Sequence, residues 1–210
     1  MRLKVLQPLS GILFLALFAG AFVVAGEPMS ASDHSPAEMT KWWTQNAHRM
    51  HVAVLLMSVA LVAFVAFASH LKAALDSAGG DAGTYSRVMF GGVLIFVAGW
   101  ATDLTLVMTI IEATKEKLDG AVVQALSIYW DNDWVPFAIG VVLMQLGAAL
   151  SILRVGGLPK WLGVLSVLIV IASVIPKVGF FALPATAVWV LLASIVMSAK
   201  AAKESKAPTV

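Results

Sequence analysis

Apolar residues in this chain run together in blocks, and nearly all of its charges fall in the gaps between them. Six blocks stand out: Gly11–Gly26, Val52–Ser69, Val88–Ile111, Trp134–Leu153, Trp161–Ile175 and Val178–Ala199. The hydrocarbon core of a bilayer takes roughly 20 apolar helical residues to cross, with a range of about 17–25. The pattern therefore predicts an all-α polytopic membrane bundle of six transmembrane helices. Its spans fall near 9–27, 50–71, 88–111, 134–153, 161–177 and 179–199, and residues 1–210 form a single integral membrane domain.

The gaps carry their own signals. Ser35, Pro36 and Glu38 make a capping box with proline at the first helical position, so a long helix is expected from Pro36 to about Lys72. Met39, Trp42, Trp43 and Met50 recur at helical spacing, and the tryptophans suit the headgroup region. The stretch from Ser77 to Gly83, with Gly79 and Gly80 at its centre, reads as a turn. Gly156-Gly157-Leu158-Pro159 closes another hairpin, and Pro176 and Pro184 bracket the last one. Within Glu112–Asp133, Leu118, Val122, Leu126 and Trp130 repeat at four-residue spacing, which predicts a short amphipathic helix lying on the outer membrane surface.

Composition sharpens the class. Hydrophobic residues make up 60% of the chain and charged residues 12%, and mean hydropathy is +0.91. Soluble domains carry about 25% charged residues, so this chain could not cover a water-facing globule. With no cysteine, it has no disulfide, thiolate metal site, iron–sulfur cluster or covalently attached haem. No cofactor is expected.

Charge sets the orientation. The loops on the N-terminal side hold Arg2, Lys4, Lys72, Arg87, Arg154, Lys160, Lys200, Lys203 and Lys206 against Asp76, Asp81 and Glu204. The opposite loops hold eight acids against five basic residues. Lys and Arg in short loops mark the cytoplasm, so both termini are expected inside, with the protein in the cell (plasma) membrane. These basic residues are topogenic, so nucleic acid is excluded as a partner. The first block also has the makings of a secretory signal peptide, with Arg2 and Lys4 before it and Val23-Val24-Ala25 near its end. Cleavage would leave five spans and an outer N-terminus; the length of the block favours retention.

Three segments carry a resemblance. They are Gly11-Ile12-Leu13-Phe14-Leu15-Ala16-Leu17-Phe18, Pro28-Met29-Ser30-Ala31-Ser32-Asp33, and Gly157-Leu158-Pro159-Lys160-Trp161-Leu162-Gly163 before the fifth span. Over nearly its whole length the chain resembles a family of uncharacterised bacterial six-helix integral membrane proteins, a domain of unknown function. The resemblance implies the same topology and a retained first span. It implies no activity.

Polar groups inside the apolar blocks are the candidate sites. Asp103 lies nine residues before Glu112 within the third block, roughly 13 Å deep at 1.5 Å per residue if Glu112 marks the outer boundary. An acid at such depth costs about 2.5–3.5 kcal/mol on insertion scales and usually faces a bundle interior with a partner. Thr102, Thr105, Gln145 and Lys177 are the candidate partners, and together with Asp103 they form the expected intramembrane polar site. Gln145 lies beside Gly140 and Gly147, where helices can approach closely. His48 and His51 share one helical face as a two-histidine metal site requires, although zinc takes three or four protein ligands. Interfacial hydrogen bonding is the alternative role for them.

Three functions fit these residues. The first is a lipid-binding, small-molecule-binding or scaffold-type membrane subunit with a polar centre at Asp103. Its partners would be membrane lipids, other membrane subunits and a small apolar ligand. The second is a proton-coupled or ion-conducting carrier using Asp103. The third is a membrane-embedded lipid-modifying enzyme built on His48, His51 and the outer acids. The chain shows no nucleophile–base pair at a shared depth, which argues against an enzyme.

Overall fold

Local sequence sets the longest helix. The Ser35 hydroxyl accepts from Glu38 N at 3.4 Å, while the Glu38 carboxylate accepts from Ser35 N at 2.8 Å. These two bonds satisfy donors that a helix start leaves free. The Ser35 N–H and hydroxyl also hold the Glu38 carboxyl below its usual range. From this cap α2 runs unbroken over Pro36–Asp76. It ends where Gly79 and Gly80 take φ values of 80° and 53°, the left-handed region that glycine enters without a Cβ clash.

The structure is a computed structural model that describes residues 9–175 and 181–204. The other helices are α1 (Ser10–Ala25), α3 (Ala82–Lys115), α4 (Gly120–Asn132), α5 (Val135–Arg154), α6 (Lys160–Val174) and α7 (Ala182–Glu204). No strand occurs among the described residues. Arg2, Lys4, Pro176, Lys177 and Lys206 lie outside them. Four helical stretches are long and apolar enough to cross a membrane: α2, α3, α4 with α5 as one run over Gly120–Arg154, and α7. The expected spans at α1 and α6 form shorter apolar helices of 16 and 15 residues. Leu55, Val62, Val23 and Val174 stand 65–79% exposed, as side chains facing lipid tails would.

The tightest helix pair is α3 against α5. A Cβ built on Gly92 would lie 2.7 Å from Gly140 O, and one on Gly140 would lie 2.7 Å from Phe96 N. One on Gly147 would come within 2.7 Å of Tyr85 O. Backbones touch along this seam because no side chain stands between them. Around it, Phe14 stacks on Phe64 with centroids 4.5 Å apart, and Trp100 packs between Phe18 and Phe137 at 5.3 and 4.7 Å. Met57, Met89 and Met144 fill this core, and Met108 is exposed. On the far side, α7 is tied to α6 by the Trp189 indole donating to Leu162 O at 3.0 Å.

Above this core a second apolar cluster forms a cap. It joins Met39, Trp43 and Met50 of α2 to Leu106, Val107, Ile110 and Ile111 of α3 and Val123 of α4. One expectation changes here. Trp43 is a buried side chain of the cap rather than a headgroup anchor, and its indole donates to Ser127 Oγ at 2.8 Å. In α4 Val123 and Ser127 are buried and Leu126 and Trp130 pack against the same cluster, while Val122, and Leu118 just before the helix, are exposed. The cause is tertiary. A turn with Lys117 at φ 55° folds α4 back beside α3, so packing on α2 and α3 selects its inner face.

The cap is also stitched to the first loop. Ala31 N donates to the Asp131 carboxylate at 2.9 Å, and the Gln124 amide donates to His34 O at 2.8 Å. Arg49 closes the end of α1, donating from Nε to Val24 O at 3.0 Å and from Nη2 to Ala25 O at 2.9 Å. Those carbonyls have no acceptor role left within the helix, and a cation suits the negative end of its dipole.

Candidate functional site

Asp103 is 7% exposed. The groups that act on its carboxyl are the Asp133 carboxyl and the Trp130 indole. Of its expected partners, the two threonines are engaged elsewhere. Thr102 donates to Ala98 O at 3.0 Å and Thr105 to Ala101 O at 2.8 Å, both on the exposed face of their own helix. Gln145 is fully buried, and neither its amide nitrogen nor its oxygen has a partner. Lys177 lies outside the described residues.

Helix geometry explains the meeting of Asp103 with Asp133. Asp103 sits about a dozen residues before the end of α3, and Asp133 about a dozen after the start of α4. At 1.5 Å per residue each arm is roughly 18 Å long, so the two carboxyls stand level on opposite arms of one hairpin. Neighbours fix the same level elsewhere. Gly99 lies against Pro136 at the start of α5, and Trp100 meets Phe22 near the end of α1 with centroids 6.0 Å apart. Asp103 thus stands at the junction between bundle and cap, level with the helix starts and ends around it, and not midway along the bundle.

Residues 104–115 then rise beside the polar first turns of α2. Their inward face is Leu106, Val107, Ile110 and Ile111, and their outward face includes Thr105, Thr109 and Glu112. Sequence reasoning missed Asp133 and Trp130. Both follow once the turn near Lys117 is taken as a hairpin centre, because the two arms then have equal length.

The histidines form no centre. His48 and His51 are exposed, and His51 Nδ1 lies 2.7 Å from Ala47 O of its own helix. Among the described residues no three His, Asp or Glu side chains come together in a way that could hold a metal ion.

A cavity of about 250 Å³ lies deeper, where the first half of α7 faces α1, α2, α3 and α5. Phe14, Phe18, Phe64 and Phe96 line one side, and Leu183, Thr186 and Val190 line the other. Phe96 is seven residues before Asp103 on α3, so the cavity sits roughly 10 Å below the carboxyl pair. Fold and site together define an all-α protein with four helices long and apolar enough to span a membrane, a helical cap and an aromatic-walled cavity. No protein-family model, no curated protein and no solved structure matches the sequence.

Proposed function

We propose that the protein is a six-span membrane protein with both termini in the cytoplasm, and that it holds a lipid or small apolar molecule between its helices. The observation that carries the binding reading is the cavity walled by Phe14, Phe18, Phe64 and Phe96. Binding sites of this kind are concave and apolar, with few polar groups. The charge asymmetry of the loops supports the orientation. On this reading the outer edge of the hydrocarbon runs near Arg49, Asp103 and Asp133. The cap stands in water, and the carboxyl pair forms its floor. A carboxyl at that level is less suited to a proton path through the midplane than the carrier reading requires.

Two measurements test this. Single cysteines can be introduced cleanly, as the chain has no native thiol. Position 119 should label from outside and position 81 only from within, and the reverse pattern would sink the topology. Mass spectrometry of molecules that copurify with the protein in lipid nanodiscs should find a species depleted when Ala187→Trp fills the cavity. Identical profiles for the two proteins would count against binding.

A further inference from the structure

Among the described residues the cavity wall has a single polar anomaly. In the membrane-facing helices, hydroxyls are generally satisfied by the carbonyl one turn back. Ser58 donates to Val54 O, Ser69 to Val65 O, Ser166 to Leu162 O and Ser194 to Val190 O, at 2.8–3.1 Å. Thr186 departs from this pattern. It is 5% exposed, its Oγ1 has no hydrogen-bond partner, and it lies on the cavity wall. Of the buried polar groups without a partner, Trp100, Gln145, Ser151 and Ser198 do not line the cavity. A buried hydroxyl left unmatched is costly, and a ligand acceptor at this wall would remove that cost.

Size and shape narrow the class. An apolar cavity of about 150 Å³ is known to hold benzene, so one of this size has room for on the order of ten non-hydrogen atoms. Phenylalanine faces and edges favour a flat ring, packed at centroid distances of about 4.5–7 Å. Resting on the lipid-binding reading above, we infer that the cavity takes a lipid-soluble molecule whose bound part is a flat ring bearing one hydrogen-bond-accepting oxygen, as in an aryl ketone, with Thr186 as donor. Specificity resides in that hydroxyl, since the other lining groups are apolar side chains and a glycine.

The test uses two probes of equal size, para-fluoroacetophenone and para-fluorocumene, in which an isopropyl group replaces the acetyl group. Fluorine NMR reads their bound fractions on the intact protein in lipid nanodiscs. The specific component is the part lost in Ala187→Trp, with Ala187→Leu as the blocking variant where the indole unfolds the bundle. The ketone should bind about 3–10-fold more tightly than the hydrocarbon, the ratio that one hydrogen bond supplies. Thr186→Val should bring the ketone down to the hydrocarbon's affinity and leave the hydrocarbon unchanged, while Thr186→Ser should keep the preference. Equal affinities in the wild type, or a preference that survives Thr186→Val, would overturn the role of Thr186. The cavity reading would still stand if the blocking variants abolish both probes. Identical binding to wild-type and blocked proteins would remove both.

Discussion

Two adjacent glycines on α3 should respond in opposite directions to the same methyl group. Around Gly91 no neighbouring heavy atom lies within 4 Å of an added Cβ, whereas at Gly92 that Cβ would lie 2.7 Å from Gly140 O and 2.8 Å from the carbonyl carbon of Leu143. Helix propensity alone favours alanine over glycine by about 0.8–1.0 kcal/mol. Gly91→Ala should therefore stabilise by up to that amount. At Gly92 the contact must open by about 1 Å to reach ordinary van der Waals distance, and a gap of 0.5–1 Å forfeits roughly a quarter to a half of each dispersion well. The loss spreads over Met89, Val93, Met144 and Ala148, which are buried beside the seam. Overpacking of this kind typically costs about 1–3 kcal/mol, so after the propensity gain Gly92→Ala should destabilise by up to about 2 kcal/mol. The two variants should differ by about 1–3 kcal/mol in SDS-driven unfolding from mixed micelles, followed by tryptophan fluorescence. A Gly92→Ala protein as stable as Gly91→Ala would refute the close approach of α3 to α5.

Other perturbations address the ends and the interior. Arg49→Ala should cost about 1–2 kcal/mol and speed amide exchange in the last turn of α1, because two carbonyls lose a cationic donor. Arg49→Lys should not restore both bonds, since an ammonium lacks the planar fork that reaches Val24 O and Ala25 O together. Gln145→Leu should leave the fold intact and raise unfolding stability by about 1–3 kcal/mol, as it removes an amide buried without partners. A loss of stability in that variant would mean the amide is satisfied in the membrane.

The helices were legible because apolar blocks and caps are local signals. Ser35, Pro36 and Glu38 announced the start of α2, and Gly79-Gly80 and Gly156-Gly157 the turns after α2 and α5, because each acts within a few residues of itself. What could not be read was which side of α4 faces inward. Leu118, Val122, Leu126 and Trp130 make a regular stripe, yet only Leu126 and Trp130 of it pack on the cap, beside the buried Val123 and Ser127, where Ser127 accepts from the Trp43 indole. Asp103 was recognisable as an anomaly, but its depth depended on where the neighbouring chain turns. Without the hairpin, Glu112 looked like the membrane edge; with it, the apolar residues beyond Asp103 belong to a cap. Thr186 gave no sequence signal, since a threonine on an apolar helix ordinarily satisfies itself.

At 1.5 Å per residue the 41 residues of α2 make a rod about 60 Å long, twice the hydrocarbon thickness of roughly 30 Å. Bundle and cap thus hang on one stiff beam with no joint between them. A membrane that thins or thickens around the bundle must tilt that beam, and its far end, carrying Met39 and Trp43, then sweeps a wider arc than the part held in lipid. The capped end of the protein is in this sense a pointer, set to an angle by the thickness of a bilayer around the bundle.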